Sequence, residues 1–408
     1  MPSRPRFAAS LQAQPLDALV ASCIDKSQEL FARSDQPVVV VSPYRFNPLG
    51  AHIDHQGGAV LARCLDQYTV LCFWQRTDAL CSIQSKLLDD KWTQSTFAAD
   101  ELDDQYGWDA MARASVAAFA QQHEITSGFD AVVFGTLVSG GLSSSASVIL
   151  AYLNALCEVN SVNLTQREYV DLVRRVENDY RGLNNGIQDQ MSIVYAQKNH
   201  MALLDVQSAS AQTITDPDAM DDCGFLMFYS GVSRNLVTGS NFNQRVAECQ
   251  QAAKLLWPAA THLGEVPEQY RTDACVAQLP EVLQRRTRHV YGEMQRVKQG
   301  CAAWQAGNLS LFGDYMNASC QSSIHLYESG SPWLIDLHNM ASTIEGVYGN
   351  RFSGGGYGGC LFMLVDLSKA EGIANELRAK YVSQYPELDE FVRVNLALSE
   401  SSTRMNTP

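Results

Sequence analysis

Apolar residues recur at helical spacing from residue 16 to 33 (Leu16, Leu19, Val20, Cys23, Ile24, Leu30) and then run unbroken through Val38–Val41. That pattern predicts a helix followed by a buried strand. The segments Ala59–Ala62, Thr69–Trp74 and Ala131–Leu137 read as further strands, and Trp108–Gln121, Ser145–Cys157 and Gln166–Asp179 as helices. After the strand-like Met201–Leu204, a polar, small-residue stretch from Gln207 to Asp222 containing Pro217 predicts a domain boundary. The chain is accordingly expected to divide into domains 1–206 and 207–408. The second half opens with strand Phe225–Tyr229 and turns helix-rich (Gln244–Leu256, Val282–Gln305, Ser310–Met316), before strand Cys360–Val365 and helix Lys369–Tyr381. No internal repeat is visible, and the polar tail Ser399–Pro408 is predicted to fray. The interleaved order places the chain in the α/β (α+β) class.

Composition narrows what such a fold does. With 408 residues and 46% apolar content, the chain has material for a full core in two or three domains. A net charge of −14 without any Lys/Arg-rich run argues against nucleic-acid binding, which depends on cations neutralising the phosphate backbone. The eleven cysteines are an odd number, with no CxxC pair and no zinc-like spacing. A disulfide framework is therefore disfavoured and a reducing cytoplasm expected. No apolar run reaches the length of a membrane span, so no membrane partner is expected either.

Four polar segments carry the candidate chemistry. The first, Pro43 to Gly58, follows the Val38–Val41 strand and gathers Arg45, Asn47, His52, Asp54 and His55 in a stretch that reads as turn-rich. The second, Val138 to Ser147, joins a strand to an apolar helix through Gly140, Gly141, Leu142, Ser143, Ser144, Ser145 and Ala146. Free N–H groups at a helix start, approached through glycines, suit an anion, and the hydroxyls add donors or a metal ligand. A serine N-cap after a glycine turn is the plainer alternative. The third, Arg351 to Cys360, has five glycines in six positions, and a strand follows it directly. A dinucleotide fingerprint would instead open a helix, so close approach to a ligand or a tight hairpin remains. The fourth places Glu177 near one predicted helix end and Asp189 at the next helix start, where each could equally be a solvated or capping acid.

Together these segments resemble the GHMP kinase superfamily, within it the galactokinase family, and most nearly galacturonokinase. Gly141-Leu142-Ser143-Ser144-Ser145-Ala146 resembles its G-L-S-S-S-A motif, and Gly186-Ile187-Gln188-Asp189-Gln190 its G-I-x-D-Q segment. The resemblance implies a two-domain kinase with the active site between the domains, ATP and Mg²⁺ as cofactors, and a small sugar as substrate. On it, Asp189 and Arg45 are the catalytic pair. Gly140 through Ala146, Trp108, Gly355 and Gly356 bind ATP, while Ser144, Ser145 and Glu177 hold the metal. Ala51, His52, Asp54, Gly186, Arg181 and Phe242 line the sugar. A guanidinium beside a carboxylate makes it a weak base, yet phosphoryl transfer needs little deprotonation of its nucleophile. The implied role of the acid is to align the anomeric hydroxyl and accept its proton late.

One position bears on the substrate. Galactokinases carry glutamate before the histidine (G-E-H-x-D), placed to bond the C6 hydroxyl, whereas this chain reads Gly50-Ala51-His52-Ile53-Asp54. Two like charges about 4 Å apart repel by roughly 4 kcal/mol at an effective dielectric of about 20, or about three decades in binding. Losing that acid favours a C6 carboxylate, as in galacturonate. Phe242 stands where the family usually has tyrosine, and Asn184 where plant galacturonokinases tend to have arginine. Arg181, His55 and the Asn184–Asn185 pair are the local candidates to meet the carboxylate. An ordinary galactokinase and a non-catalytic sugar sensor are the alternatives, although the serine loop is complete.

Overall fold

The computed structural model describes residues 11, 14–86, 91–101, 107–136, 141–182, 185–232 and 241–406. Among them, helix α1 (Leu16–Phe31) precedes a larger sheet built from β1 (Val38–Leu49), β2 (Val60–Gln75), β3 (Cys81–Lys86), β4 (Trp92–Phe97), β5 (Phe129–Gly135), β6 (His200–Asp205) and β7 (Ser210–Thr215). Helices α2 (Ala110–Ala120), α3 (Ser144–Val159), α4 (Gln166–Arg175) and α5 (Gln188–Val194) intervene. The C-terminal strand β12 (Arg404–Asn406) completes this sheet, whose order is β12-β1-β2-β5-β3-β4, with β6 on the first residues of β2 and β7 on β6. A second, antiparallel sheet has the order β11-β8-β10-β9. It comprises β8 (Cys223–Tyr229), β9 (Val347–Phe352), β10 (Cys360–Asp366) and β11 (Arg393–Ala397).

The unbroken apolar run at the start of β1 is explained by cover on both faces of the sheet. Leu19 and Cys23 of α1 pack with Val39, Val41, Val70 and Cys72, while Val40 and Leu71 join the main core with α3. Further along β1, period-two alternation decides the site. Phe46 turns into the second sheet, stacked 4.3 Å from Phe362 and edge-on 4.7 Å from Phe225. Its neighbour Arg45 faces the other way.

Several expectations are revised. The segment from Pro43 to Leu49 is strand, not turn, because register shifts at Pro43/Tyr44 and Phe46/Leu49 absorb residues such as Pro48 that cannot serve the ladder. Ala59–Ala62 and Thr69–Trp74 belong to the single strand β2, and the polar Asp66 and Gln67 that seemed to divide it lie in the first of those bulges. The polar stretch after β6 contains edge strand β7. The tail does not fray: β12 (Arg404–Asn406) pairs with β1, and Tyr68 donates 2.6 Å to Glu400. β3, β4, β9 and β11 were not anticipated, being short and partly polar. No helix among the described residues is long and apolar enough to cross a membrane.

Candidate active site

One side of the candidate site is assembled at the start of α3. Ser143 adopts a left-handed backbone (φ 55°), and its side chain makes no capping bond to the helix. Its hydroxyl is buried and has no hydrogen-bond partner among the described residues. The plainer N-cap reading is thereby removed. The orphan N–H groups of the first turn and an unspent hydroxyl stand together, the arrangement an anion requires. Leu142 and Ala146 face the core and anchor the loop, while Ser144 and Ser145 are half-buried. Gly140 lies outside the described residues.

The two glycine-containing loops meet backbone to backbone. A Cβ on Gly141 would come within 2.5 Å of the Ser353 carbonyl, and one on Gly354 within 2.9 Å of Gly141 Cα. Only glycine allows that approach. Arg45 locks the junction: Nη1 donates to Gly141 O (3.0 Å) and Ser353 Oγ (3.2 Å), and Nε and Nη2 donate to Asp189 Oδ1 at 3.0 and 2.6 Å. Both contacts to Asp189 end on one oxygen.

Asp189 sits in the first turn of α5 and Glu177 in a π-helical turn (Val176–Tyr180) that follows α4. Such wide turns often occur at functional sites. Glu177 accepts from Ser145 Oγ (2.9 Å) and Asn185 Nδ2 (2.8 Å). Burial, and then the charge of Asp189, push its carboxyl up to about 7. Asp54 is pushed up to about 6 by the same causes. Gly186 passes so close to Asp54 that a Cβ would lie 2.2 Å from Oδ2. Three acids thus gather around Arg45.

The other side of the candidate site is built from the loop after β1 and from distant helices. His52 has φ 57°, stacks on Tyr327 at 4.4 Å, and places Nε2 3.1 Å from Ser329 Oγ. The Gln56 amide, oriented by Leu263 N, points its nitrogen at His55 Nδ1 (2.8 Å), leaving Nε2 to donate to Tyr327 Oη (3.1 Å). His289 donates through Nε2 to the Ala51 carbonyl at 2.9 Å. Burial is the main cause that lowers all three imidazoles, His55 to about 3 and His289 to about 4, so they are neutral at pH 7. Phe242 opens the helix Phe242–Leu256 and meets His55 edge-on at 5.9 Å.

Ala51 itself is 5% exposed. The corner around it is not free of acid. Glu293, on the long helix Glu281–Gln305, accepts through Oε1 from Gly50 N (2.8 Å), Ala51 N (3.1 Å) and Ser319 Oγ (2.6 Å). Its Oε2 accepts from Arg296 at 2.6 Å, and Arg351 stands 3.9 Å from Oε1. Although burial opposes ionisation, Arg296, His289 and Arg351 hold this carboxyl down at about 2.

Comparison with known proteins agrees with this geometry. Residues 105–197 match the GHMP kinases N terminal domain, residues 301–383 the GHMP kinases C terminal domain, and residues 28–73 the galactokinase galactose-binding signature. A galacturonokinase from Arabidopsis thaliana is 34% identical over 400 residues, covering 91% of this chain and 94% of the relative. The chain belongs to the GHMP kinases. Within them it is a sugar kinase of the galactokinase and galacturonokinase type, and ATP is the phosphate donor these kinases use. A galactokinase from Roseiflexus sp. is 31% identical, covering 84% of this chain and 87% of the relative. The crystal structure of Lactococcus lactis galactokinase complexed with galactose superimposes with a TM-score of 0.86 at 27% identity, covering 95% of this chain and 99% of that one.

In this GHMP kinase the expected site residues are distributed unevenly. Arg45, Gly141, Ser145, Glu177, Gly186, Asp189 and Asp54 are joined by the contacts described above, and Ser143 stands beside them with its hydroxyl unpartnered among the described residues. Trp108 is 37% exposed just before α2, which excludes core packing as its role. Gly356 is held by its carbonyl, which accepts from Ser331 N at 2.6 Å, and Gly355 is half-buried beside it. Arg181 is half-buried at the end of the π-turn, and Asn184 lies outside the described residues. Sequence reasoning missed Ser353, Tyr327, Ser329, His289, Glu293 and Arg351. Ser353 and Arg351 were within reach, since they border the glycine run. The other four sit on segments without any local motif.

Proposed function

We propose that this GHMP kinase transfers the γ-phosphoryl group of ATP to the anomeric hydroxyl of D-galacturonate, giving the 1-phosphate. The observation carrying the acceptor assignment is Ala51 beside a corner whose acid, Glu293, is matched by Arg296 and Arg351. The relative named galacturonokinase points the same way. Residues 1–206 and 207–408 are taken as the two domains, with the acceptor between them.

Each residue then has a definable task. Asp189 Oδ2 accepts no hydrogen bond among the described residues, which leaves it for the anomeric hydroxyl, while Oδ1 is pinned by Arg45. Arg45 is spent on Asp189 and the two loops, so it orients the base and clamps the phosphate cradle rather than reaching the transferred group. His52 and Asp54 are placed for ring hydroxyls. Ser143 Oγ and the first-turn N–H groups receive phosphate oxygens, and exposed Trp108 is available to the adenine. Mg²⁺ fits at Ser145, Ser144 and Glu177, where a buried carboxylate makes no ion pair among the described residues; when bound, the ion would offset phosphate charge. No group of three His, Cys, Asp or Glu side chains among the described residues forms a metal cage, which suits an ion held largely by phosphates.

The galactokinase reading rests on the galactose-bound neighbour in structure. Purified protein with ATP and either sugar decides between them. At least a tenfold higher kcat/KM for galacturonate is expected, and a preference for galactose overturns the assignment.

A further inference from the structure

We propose that Arg351 is the specificity-determining residue that receives the C6 carboxylate of the sugar. The inference rests on the acceptor reading above and names the group that reading leaves undefined. Arg351 lies on β9 directly before the glycine loop and is 3% exposed. Its hydrogen bonds run to neutral partners: Nε to Phe352 O at 3.1 Å and Nη1 to Ser319 Oγ at 3.1 Å. Among the described residues Nη2 donates none. The acid nearest to it, Glu293 at 3.9 Å, is already engaged by two backbone N–H groups, a serine and Arg296. One carboxylate therefore faces two guanidinium groups, that of Arg351 buried and that of Arg296 half-buried, and a positive charge is left over.

That surplus stands where residue 51 points to a role for it. Glu293 Oε1 is bonded to the Ala51 N–H and lies beside Arg351, so a single carboxylate bridges the guanidinium and the backbone of residue 51. His52, next in sequence, lies close enough that Arg351 helps hold its imidazole neutral. With a methyl group at 51, no second acid pairs with Arg351 among the described residues. A uronic acid brings that acid on the ligand, and its oxygens can accept from Nη2 in a charge-assisted pair. Arg245, by contrast, pairs with two acids, Glu248 at 3.2 Å and Glu328 at 3.3 Å, and Arg296 is engaged by Glu293 at 2.6 Å. Burial draws the Arg351 guanidinium below its ordinary value, as expected for a cation short of a counter-ion.

The test measures kcat/KM and calorimetric binding for galacturonate, its uncharged C6 amide and galactose. Native protein is expected to bind the amide at least tenfold more weakly than galacturonate. Arg351→Gln should lower the galacturonate-to-galactose ratio of kcat/KM by about a hundredfold, and Arg351→Lys by less. Should Arg351→Gln fail to fold, Arg351→Lys and the amide comparison on native protein carry the test. Absence of galacturonate binding to native protein overturns the acceptor reading and the inference with it. Galacturonate turnover with an unchanged ratio in the Arg351 variants, or equal binding of acid and amide, overturns the inference alone.

Discussion

The phosphate side and the C6 corner of this kinase are built by opposite means. The phosphate side comes from short, contiguous sequence: Gly141 to Ala146, Gly186 to Gln190, and Ser353 beside the glycine run. Its charge balance is negative, with Asp54, Glu177 and Asp189 around the single guanidinium of Arg45. The C6 corner draws on Ala51, Glu293, Ser319 and Arg351, which are separated by tens to hundreds of residues, and its balance is positive. The first region is short of cations, which phosphate-bound metal would supply under the proposed function. The second is short of an anion, which a uronate acceptor would supply under the same proposal. A site can therefore be read for its missing ligands by counting which buried charges lack partners.

The largest effect should come from breaking the phosphate side. Asp189→Ala is expected to lower kcat by about 10²–10⁴-fold while galacturonate affinity measured by calorimetry stays within a few-fold. Near-normal turnover would show that the acids around Arg45 are not the reacting centre. Next in size is Ala51→Glu, which places a carboxylate where Arg351 is in surplus. It should reduce the galacturonate-to-galactose ratio of kcat/KM by about two decades, within the limit that like-charge repulsion sets. An unchanged ratio would mean that C6 is read elsewhere.

The smallest effect concerns stability. Asp54 is held at about 6 against 3.8 for an ordinary aspartate, so between those values the folded protein binds more protons than the unfolded chain. Its contribution is thus unfavourable as pH rises through that window, and fully so above about 6. Asp54→Asn should gain up to about 3 kcal/mol at pH 7 by denaturant unfolding, lose that gain at pH 4, and weaken sugar binding. A gain of the same size at both pH values would refute the electrostatic origin.

Much of the first region was legible because its chemistry is local. A helix start needs its donors, its glycines and its hydroxyls within a few residues, so Gly141, Ser143 and Ser145 announced themselves together. Arg45 was legible too, although its role as a clamp on two loops was not. The C6 corner was only half legible. Ala51 showed that an acid had been lost, but Glu293 occupies neighbouring space from a helix whose sequence reads as ordinary amphipathic pattern. The same limit applied to the fold: β2 looked divided because Asp66 and Gln67 are polar, and only the returning C-terminal segment, bonded to Asp66 through Leu398, explains them.

By itself the sequence determined the family, the phosphate cradle and the absence of an acidic side chain at position 51, because each depends on neighbours in the chain. Tertiary structure alone decided the docking of the polar tail on β1, the clamp between the serine and glycine loops, and the surplus charge on Arg351. Those depend on which buried polar groups find partners across the fold. Burial makes an unmatched charge costly, and distance along the chain says nothing about where its partner lies.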